Sequence, residues 1–283
     1  MPPFDPRLTP ARPDLAARHL EGQVAATRFI EGIARVVVEP QAPLRRAPVA
    51  DAPLETEALL GERVTVYETT DEGWAWVQLE SDGYVGWLPA STLAPPGTAP
   101  THRVSALRTL VFPGPSIKLP PLDSLPFGAR LAIARVEPPW AVTAASGYVP
   151  LRHLVPLAAA ETDFVAVAER FLGTPYLWGG KTSAGIDCSG LSQVALAACG
   201  VACPRDTDMQ QKALGAPVVA AADYANLRRG DLVFWKGHVA IVRDPATLVH
   251  ANAFHMAVAF EPIADAVARI RPTDGDPIGV KRL

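Results

Sequence analysis

The spacing of apolar and polar positions changes character once along this chain, near residue 160. Before that point the apolar residues come in short β-rich runs: "RVTVYE" (63–68), "WAWVQLE" (74–80) and "GYVGWLP" (83–89), with "DEG" and "SDG" between them as turn signals. Short strands at this spacing predict a small barrel of about 60 residues. A weaker copy follows. "FGARLAIARVEPPWAVTAASGYV" (127–149) repeats "LGERVTVYETTDEGWAWVQLESDGYV" (60–85), and "SGYVPLRHLVP" (146–156) repeats "DGYVGWLPASTLAP" (82–95). Each copy runs from a Gly-led strand through a tryptophan to a Gly-Tyr-Val strand, which marks an internal duplication. "APPGTAPTHR" (94–103) is the expected linker between the copies. The stretch "DLAARHLEGQVAATRF" (14–29) reads as a helical arm over residues 1–34, leaving barrels at 35–97 and 98–157 and a further domain at 158–283.

Beyond residue 160 the period lengthens. "ETDFVAVAERFLGTPY" places Phe164, Val165, Val167, Ala168, Phe171 and Leu172 at helical spacing, and Gly173 and Pro175 end the pattern. "CSGLSQVALAACG" predicts a second helix with Leu191, Val194, Ala195 and Ala198 on one face and Gly200 to stop it. Strands follow at "DLVFW" (231–235), "HVAIVR" (238–243) and "TLVHANA" (247–253), the last two joined by a "DPA" turn. Helices followed by antiparallel strands predict an α+β domain.

Composition narrows the function classes. The chain has 283 residues, 49% of them hydrophobic and 19% charged, which suits folded domains rather than disorder. A net charge of −3 with no basic stripe argues against nucleic acid and against a membrane-surface helix. No run approaches the ~18 apolar residues of a membrane span. The start, "MPPFDPRLTPARPDLAARHLEG", lacks the apolar core of a leader and reads as uncleaved. Three cysteines, an odd number, do not make a disulfide framework, so a reducing, cytoplasmic setting is expected.

Three side chains carry the candidate chemistry. Cys188 stands at the first residue of its predicted helix, where the dipole and free N–H groups favour a thiolate and offer donors to an oxyanion. The alternative is a small hydrophobe filling the start of a buried helix. His238 opens a β-branched strand directly after a glycine. If the 238–243 and 247–253 strands pair antiparallel, alternation puts His238, Ala240 and Val242 on one face with His250 and Asn252. His250 can then orient the His238 ring toward sulfur, while a one-residue slip would carry His250 to the other face. Other candidates fail. Cys199 and Cys203 lack the further ligands of a zinc set, "WGGKTSAG" lacks the upstream glycine of a phosphate loop, and no paired carboxylates suggest glycoside hydrolysis. His19, His102, His153 and His255 have no recognisable partners in the sequence. Neither a cofactor nor a metal is expected.

"TPYLWGGKTSAGIDCSGL", "RRGDLVFWKGHVAIV" and "LVHANA" together resemble the NlpC/P60 family of papain-like cysteine peptidases over residues 160–283, through the motifs P-Y-x-W-G-G, D-C-S-G, G-D-L-x-F and G-H-V-x-I. The duplicated barrels resemble bacterial SH3 (SH3b) domains, and the whole arrangement resembles γ-D-glutamyl-L-diamino acid endopeptidases of murein recycling. The resemblance implies Cys188 as nucleophile, His238 as general base and His250 as its orienter. It implies Tyr176 near the oxyanion, or else merely packed. It also implies a murein-derived peptide with a free N-terminal L-Ala as substrate. A monomer is expected, with no nucleic-acid or membrane partner. A buried ammonium needs an anion. "CPRDTDMQQ" (203–211) matches R-D-x-x-x-Q, so Asp206 is the candidate, unless it is a loop or helix-cap aspartate. Ser189 is a candidate polar contact. Tyr84, with Trp87 and Glu68 as alternatives, is a candidate contribution from the first barrel, unless it is core. Two rivals stand beside this reading: an amidase or acyltransferase on the same scaffold, and a wall-binding protein with an inactive catalytic domain.

Overall fold

The alternating runs of residues 33–94 build a seven-stranded antiparallel sheet in the computed structural model, which describes residues 4–283. Its spatial order is Leu54–Leu59, Gln41–Arg45, Val85–Pro89, Trp74–Leu79, Arg63–Thr69, Ile33–Val37 and Leu93–Ala94. Three β-rich runs identified in the sequence are the Arg63–Thr69, Trp74–Leu79 and Val85–Pro89 strands of this sheet.

The duplication is visible in the backbone bonds. Gly61 and Gly128 both adopt positive φ (+77° and +86°) and donate their N–H groups to Val37 O and Val104 O, each at 2.9 Å. An L-side chain is strained there, which explains the glycine that leads each repeat. Val38 donates to Thr92 O and Ser105 to His153 O, at 2.9 and 2.8 Å. In both copies a strand ends in proline (Pro89, Pro150) and runs into a single 3-10 turn, Ala90–Thr92 or Leu151–His153. The second copy is smaller in its sheets and packs around Val104, Leu125, Ala129, Leu131, Ala141, Val149 and Leu154.

The N-terminal arm is not helical. Leu15–Ala17 pairs in parallel with Arg28–Ile30, and one 3-10 turn, Arg18–Leu20, lies between them. Residues 1–3 of the expected arm lie outside the described residues. Packing overrides local propensity here, because Leu15, Ala17 and Leu20 bury against Tyr67, Trp76 and Trp87 of the first barrel. The Arg12 guanidinium lies 4.4 Å from the Trp76 ring centre and 5.0 Å from that of Trp87, and it is paired with Asp14 and Glu68. This arm belongs to the same compact unit as both barrels, which runs through Ala159.

A second unit begins at Ala160. Its six-stranded sheet has the order Ala216–Val218, Gly279–Arg282, Leu232–Trp235, His238–Asp244, Thr247–Asn252, Ala257–Pro262. Four helices accompany it: α1 (Phe164–Glu169), α2 (Cys188–Ala198), α3 (Thr207–Ala213) and α4 (Ile263–Asp274). Asp163 caps α1 by accepting from the N–H groups of Val165 and Ala166. Gly200, at φ +75°, stops α2 and donates to Ala197 O, as Val201 does to Leu196 O. One sheet face packs Val233, Trp235, Ala240, Val242 and Leu248 against Ile263, Ala266, Val267 and Ile270 of α4. None of the described helices is long and apolar enough to cross a membrane.

Replacing Leu15, which is 1% exposed, by alanine is expected to destabilise the first unit by about 2–5 kcal/mol. Denaturant unfolding followed by tryptophan fluorescence checks this, since Trp76 and Trp87 line the vacated space.

Candidate active site

Cys188 is placed by the residue before it. Asp187 is the N-cap of α2, and its Oδ1 accepts from the Gly190 N–H at 2.7 Å and from Arg205 Nη1 at 3.0 Å. Its Oδ2 accepts from the Gly179 N–H at 2.8 Å and from Arg205 Nη2 at 2.7 Å. Arg205 and Asp187 are both buried, their side chains 1% and 9% exposed. The Gly180 carbonyl accepts from the Asp187 N–H at 3.2 Å. A Cβ on Gly190 would lie 2.4 Å from Gly180 O, and one on Gly180 would lie 2.4 Å from Gly185 O. The glycines of W-G-G and D-C-S-G are therefore spacers that let two backbones close around one carboxylate.

His238 is placed by a two-residue turn. Trp235 pairs with His238 across Lys236 and Gly237, and Gly237 takes φ +77°. The ladder between the His238 and His250 strands runs only from Ile241↔Val249 to Asp244↔Thr247. Counting back along that register sets Ala240 opposite His250 and His238 opposite Asn252, so the two histidines share a face. His238 Nε2 and His250 Nδ1 are 3.0 Å apart.

The sulfur occupies the edge that this shortened ladder leaves open. In an extended strand the Gly237 C=O and the Val239 N–H point to the same edge. Cys188 Sγ lies 3.9 Å from Gly237 O, and the Val239 backbone favours its ionised form. Thr207 Oγ1, at the start of α3, lies 4.0 Å away. The sulfur thus meets the His238 strand at backbone atoms flanking the histidine, with no hydrogen bond to the ring itself.

The helix position alone does not set the thiol pKa. Cys188 is 5% exposed, and burial, then the Asp187 charge, push its thiol up to about 11. A helix terminus contributes only about 0.3–2 kcal/mol, whereas desolvation of a fully buried group shifts a pKa by up to about 3–5 units. Burial wins. The same cause, followed by repulsion from His250, lowers His238 to about 3.

Sequence reasoning missed the far end of the chain of rings. His250 Nε2 lies 3.0 Å from Glu261 Oε2, and Arg269 of α4 donates to Glu261 through Nε (2.9 Å) and Nη2 (2.7 Å). Glu261 lies on the Ala257–Pro262 strand, a segment with no clear period-two pattern; only its position after the His250 strand could have found it.

The remaining candidates separate. Tyr176 is half-buried, bridged to Ile186 next to Asp187, and the Cys188 charge contributes to raising its hydroxyl pKa, after burial. Ser189 is committed inside the protein, accepting from Arg205 Nη1 at 2.8 Å and donating to Asp187 at 3.3 Å, so it braces the ion pair rather than offering a surface to substrate. Gln210 of the R-D-x-x-x-Q stretch donates to Ser189 O and Pro204 O, both at 2.9 Å. Asp206 is the N-cap residue of α3 without a side-chain cap bond. It sits between Arg205, which holds Asp187, and Thr207, which touches the sulfur. Tyr84 is core: it is 2% exposed within the first barrel, with its hydroxyl 3.2 Å from Glu55, and a buried ring presents no face to a peptide. No group of three or more His, Cys, Asp or Glu is arranged to hold a metal among the described residues.

Comparison with known proteins identifies the family. Residues 173–269 match the NlpC/P60 family, and residues 44–93 match the bacterial dipeptidyl-peptidase Sh3 domain. A Corynebacterium glutamicum protein named a probable endopeptidase is 31% identical over 177 residues, 58% of this chain and 82% of that one. The chain belongs to the NlpC/P60 family. It is a hydrolase of the cysteine-peptidase class. Another relative, the gamma-D-glutamyl-L-lysine dipeptidyl-peptidase of Bacillus cereus, is 27% identical over 244 residues, 74% of this chain and 71% of its own. The crystal structure of an NlpC/P60 family protein from Bacillus cereus superposes with a TM-score of 0.70 at 22% identity, covering 88% of this chain and 99% of that one, and so shares its fold. The fold is α+β, a papain-like NlpC/P60 domain preceded by SH3-like barrels.

Two outcomes follow for this site. Arg205→Ala leaves Asp187 buried without its cation and should cost about 3–5 kcal/mol, measured by denaturant unfolding. His238 and His250 are lowered from 6.5, and Glu261 from 4.5 to about 2. Below 6.5 the unfolded histidines bind protons that the folded ones refuse, and below 4.5 the unfolded Glu261 does the same. Stability is therefore full above 6.5 and lost as pH falls toward about 3. A thermal-melting series should show this limb, and His238→Gln should flatten its upper part.

Proposed function

We propose that this protein hydrolyses the γ-D-glutamyl–diamino acid bond of murein-derived peptides bearing a free N-terminal L-Ala, as a cytoplasmic enzyme of cell-wall peptide recycling. The observation that carries the catalytic part is the placement of Cys188 Sγ on the open edge of the His238 strand, with His238 tied to His250 at 3.0 Å. His238 Nε2 is engaged by His250, so Nδ1 is the acceptor for the thiol proton. As the proton moves to Nδ1, sulfur bonds to the amide carbon and the carbonyl pair moves to oxygen. The Cys188 N–H, at the start of α2, and the Tyr176 hydroxyl stabilise that oxyanion. Collapse expels the amine, which takes its proton from Nδ1, and water then releases the acyl group by the same path in reverse.

The substrate class is supported by the names of two relatives, the gamma-D-glutamyl-L-lysine dipeptidyl-peptidases of Bacillus cereus and Bacillus subtilis, the second 31% identical over 205 residues. Asp206 is the anion for the substrate ammonium, since it lies one residue from both the Asp187 partner and the Thr207 contact to sulfur.

L-Ala-γ-D-Glu-diaminopimelate and its N-acetyl form, followed by chromatography of released amine, test this. Only the free-amine peptide should be cut. Cys188→Ala should abolish cleavage, and Asp206→Ala should reduce turnover of the free peptide to that of the acetylated one. Equal cleavage of both peptides by the unaltered enzyme overturns the ammonium anchor, and cleavage by Cys188→Ala overturns the nucleophile.

A further inference from the structure

A histidine in the third position of a catalytic relay creates a difficulty that an asparagine would not, because its two ring nitrogens can exchange roles. Two proton arrangements satisfy the 3.0 Å contact between His238 Nε2 and His250 Nδ1 equally well. In one, His238 Nε2–H donates to His250 Nδ1, and His238 Nδ1 keeps its lone pair. In the other, His250 Nδ1–H donates to His238 Nε2, and the neutral His238 carries its proton on Nδ1. Only the first can receive a proton from the thiol. Within the histidine pair nothing distinguishes them.

Glu261 does. Its side chain is 7% exposed, and its Oε2 lies 3.0 Å from His250 Nε2, whose own side chain is fully buried. An ionised carboxylate only accepts hydrogen bonds. The second arrangement would set two lone pairs against each other at this distance in a site without water's screening. Arg269 keeps the carboxylate ionised and in place, bonded to both oxygens and stacked 4.6 Å from the ring centre of Phe254. The charged and titratable groups that act on the two rings are Glu261 on the neighbouring strand, Arg269 on α4 and His255 in the turn after the His250 strand.

We propose that Glu261, held by Arg269, is a positioning residue that fixes the tautomers of His250 and His238 and so keeps Nδ1 of His238 open to the thiol proton. The inference rests on Cys188 and His238 acting as nucleophile and base. It reaches beyond them, since Glu261 and Arg269 act through His250 on the reacting pair.

The arrangement sets a ranking that a structural brace would not. With Glu261 removed, the freed Arg269 guanidinium, a donor only, faces His250 Nε2 and favours the lone pair there, which selects the unproductive arrangement. Glu261→Ala should lower kcat by about 10²-fold or more with KM changed little, and Glu261→Asp should restore most of it. Adding Arg269→Ala to Glu261→Ala should recover about tenfold, because the wrong selector is gone. A double variant no faster than Glu261→Ala overturns the proposal. Nitrogen-15 NMR of the histidine rings in the unaltered protein at pH 7 is independent of how the variants fold. Protons on Nε2 of both His238 and His250 are expected, and a proton on Nδ1 of His250 overturns the proposal. Loss of all cleavage in Cys188→Ala alongside that adverse spectrum would sink the tautomer inference alone. Retained cleavage in Cys188→Ala would sink the peptidase roles on which it rests.

Discussion

One buried carboxylate sets the geometry of the catalytic unit. Asp187 closes the N-terminus of α2, holds the Gly179 backbone and is gripped at both oxygens by Arg205. Each contact ties a different segment to Cys188: the loop before it, the helix after it, and the chain entering α3 through Arg205 and Thr207. A buried charge is costly unless it is paired and hydrogen-bonded, and here all lone pairs facing protein have donors. The pairing contributes position more than net stability. It explains why two sequence motifs, W-G-G and D-C-S-G, are glycine-rich on facing stretches: a side chain at Gly180 or Gly190 would hold the backbones apart.

The second constraint is burial around Cys188 and His238. Burial raises the Cys188 thiol and, with repulsion from His250, lowers the His238 imidazole. The Val239 N–H and Thr207 contacts to sulfur both favour the ionised form, and they are outweighed at rest rather than absent.

How much of this was legible depended on whether local pattern or distant packing decided. The β-runs at 63–89, the duplication, the start and stop of α2 and the shared face of His238 and His250 follow from alternation, turn residues and Gly200, all local signals. The "DLAARHL" stretch misled, because Leu15, Ala17 and Leu20 answer to an aromatic face of the barrel that helical spacing does not reveal. Tyr84 and Ser189 were placed near substrate because their neighbours in sequence are informative, yet one is barrel core and the other braces an ion pair. The charge state of Cys188 was the least readable feature. Helix position is written in the sequence, while the depth of burial that reverses its effect is set by strands 50 residues away.

The site also accounts for an irregularity in the sheet. The His238 and His250 strands cease to pair before Ala240, which leaves backbone donors and acceptors of a central strand without a ladder partner. Such groups are costly when buried unless something replaces the neighbour. The tip of α2 does so, setting its sulfur against the Gly237 carbonyl and the Val239 N–H. A regular ladder would close this edge and force the helix away, and a wider opening would separate the histidines. The Cys188 end of α2 thus stands where the β-pairing stops.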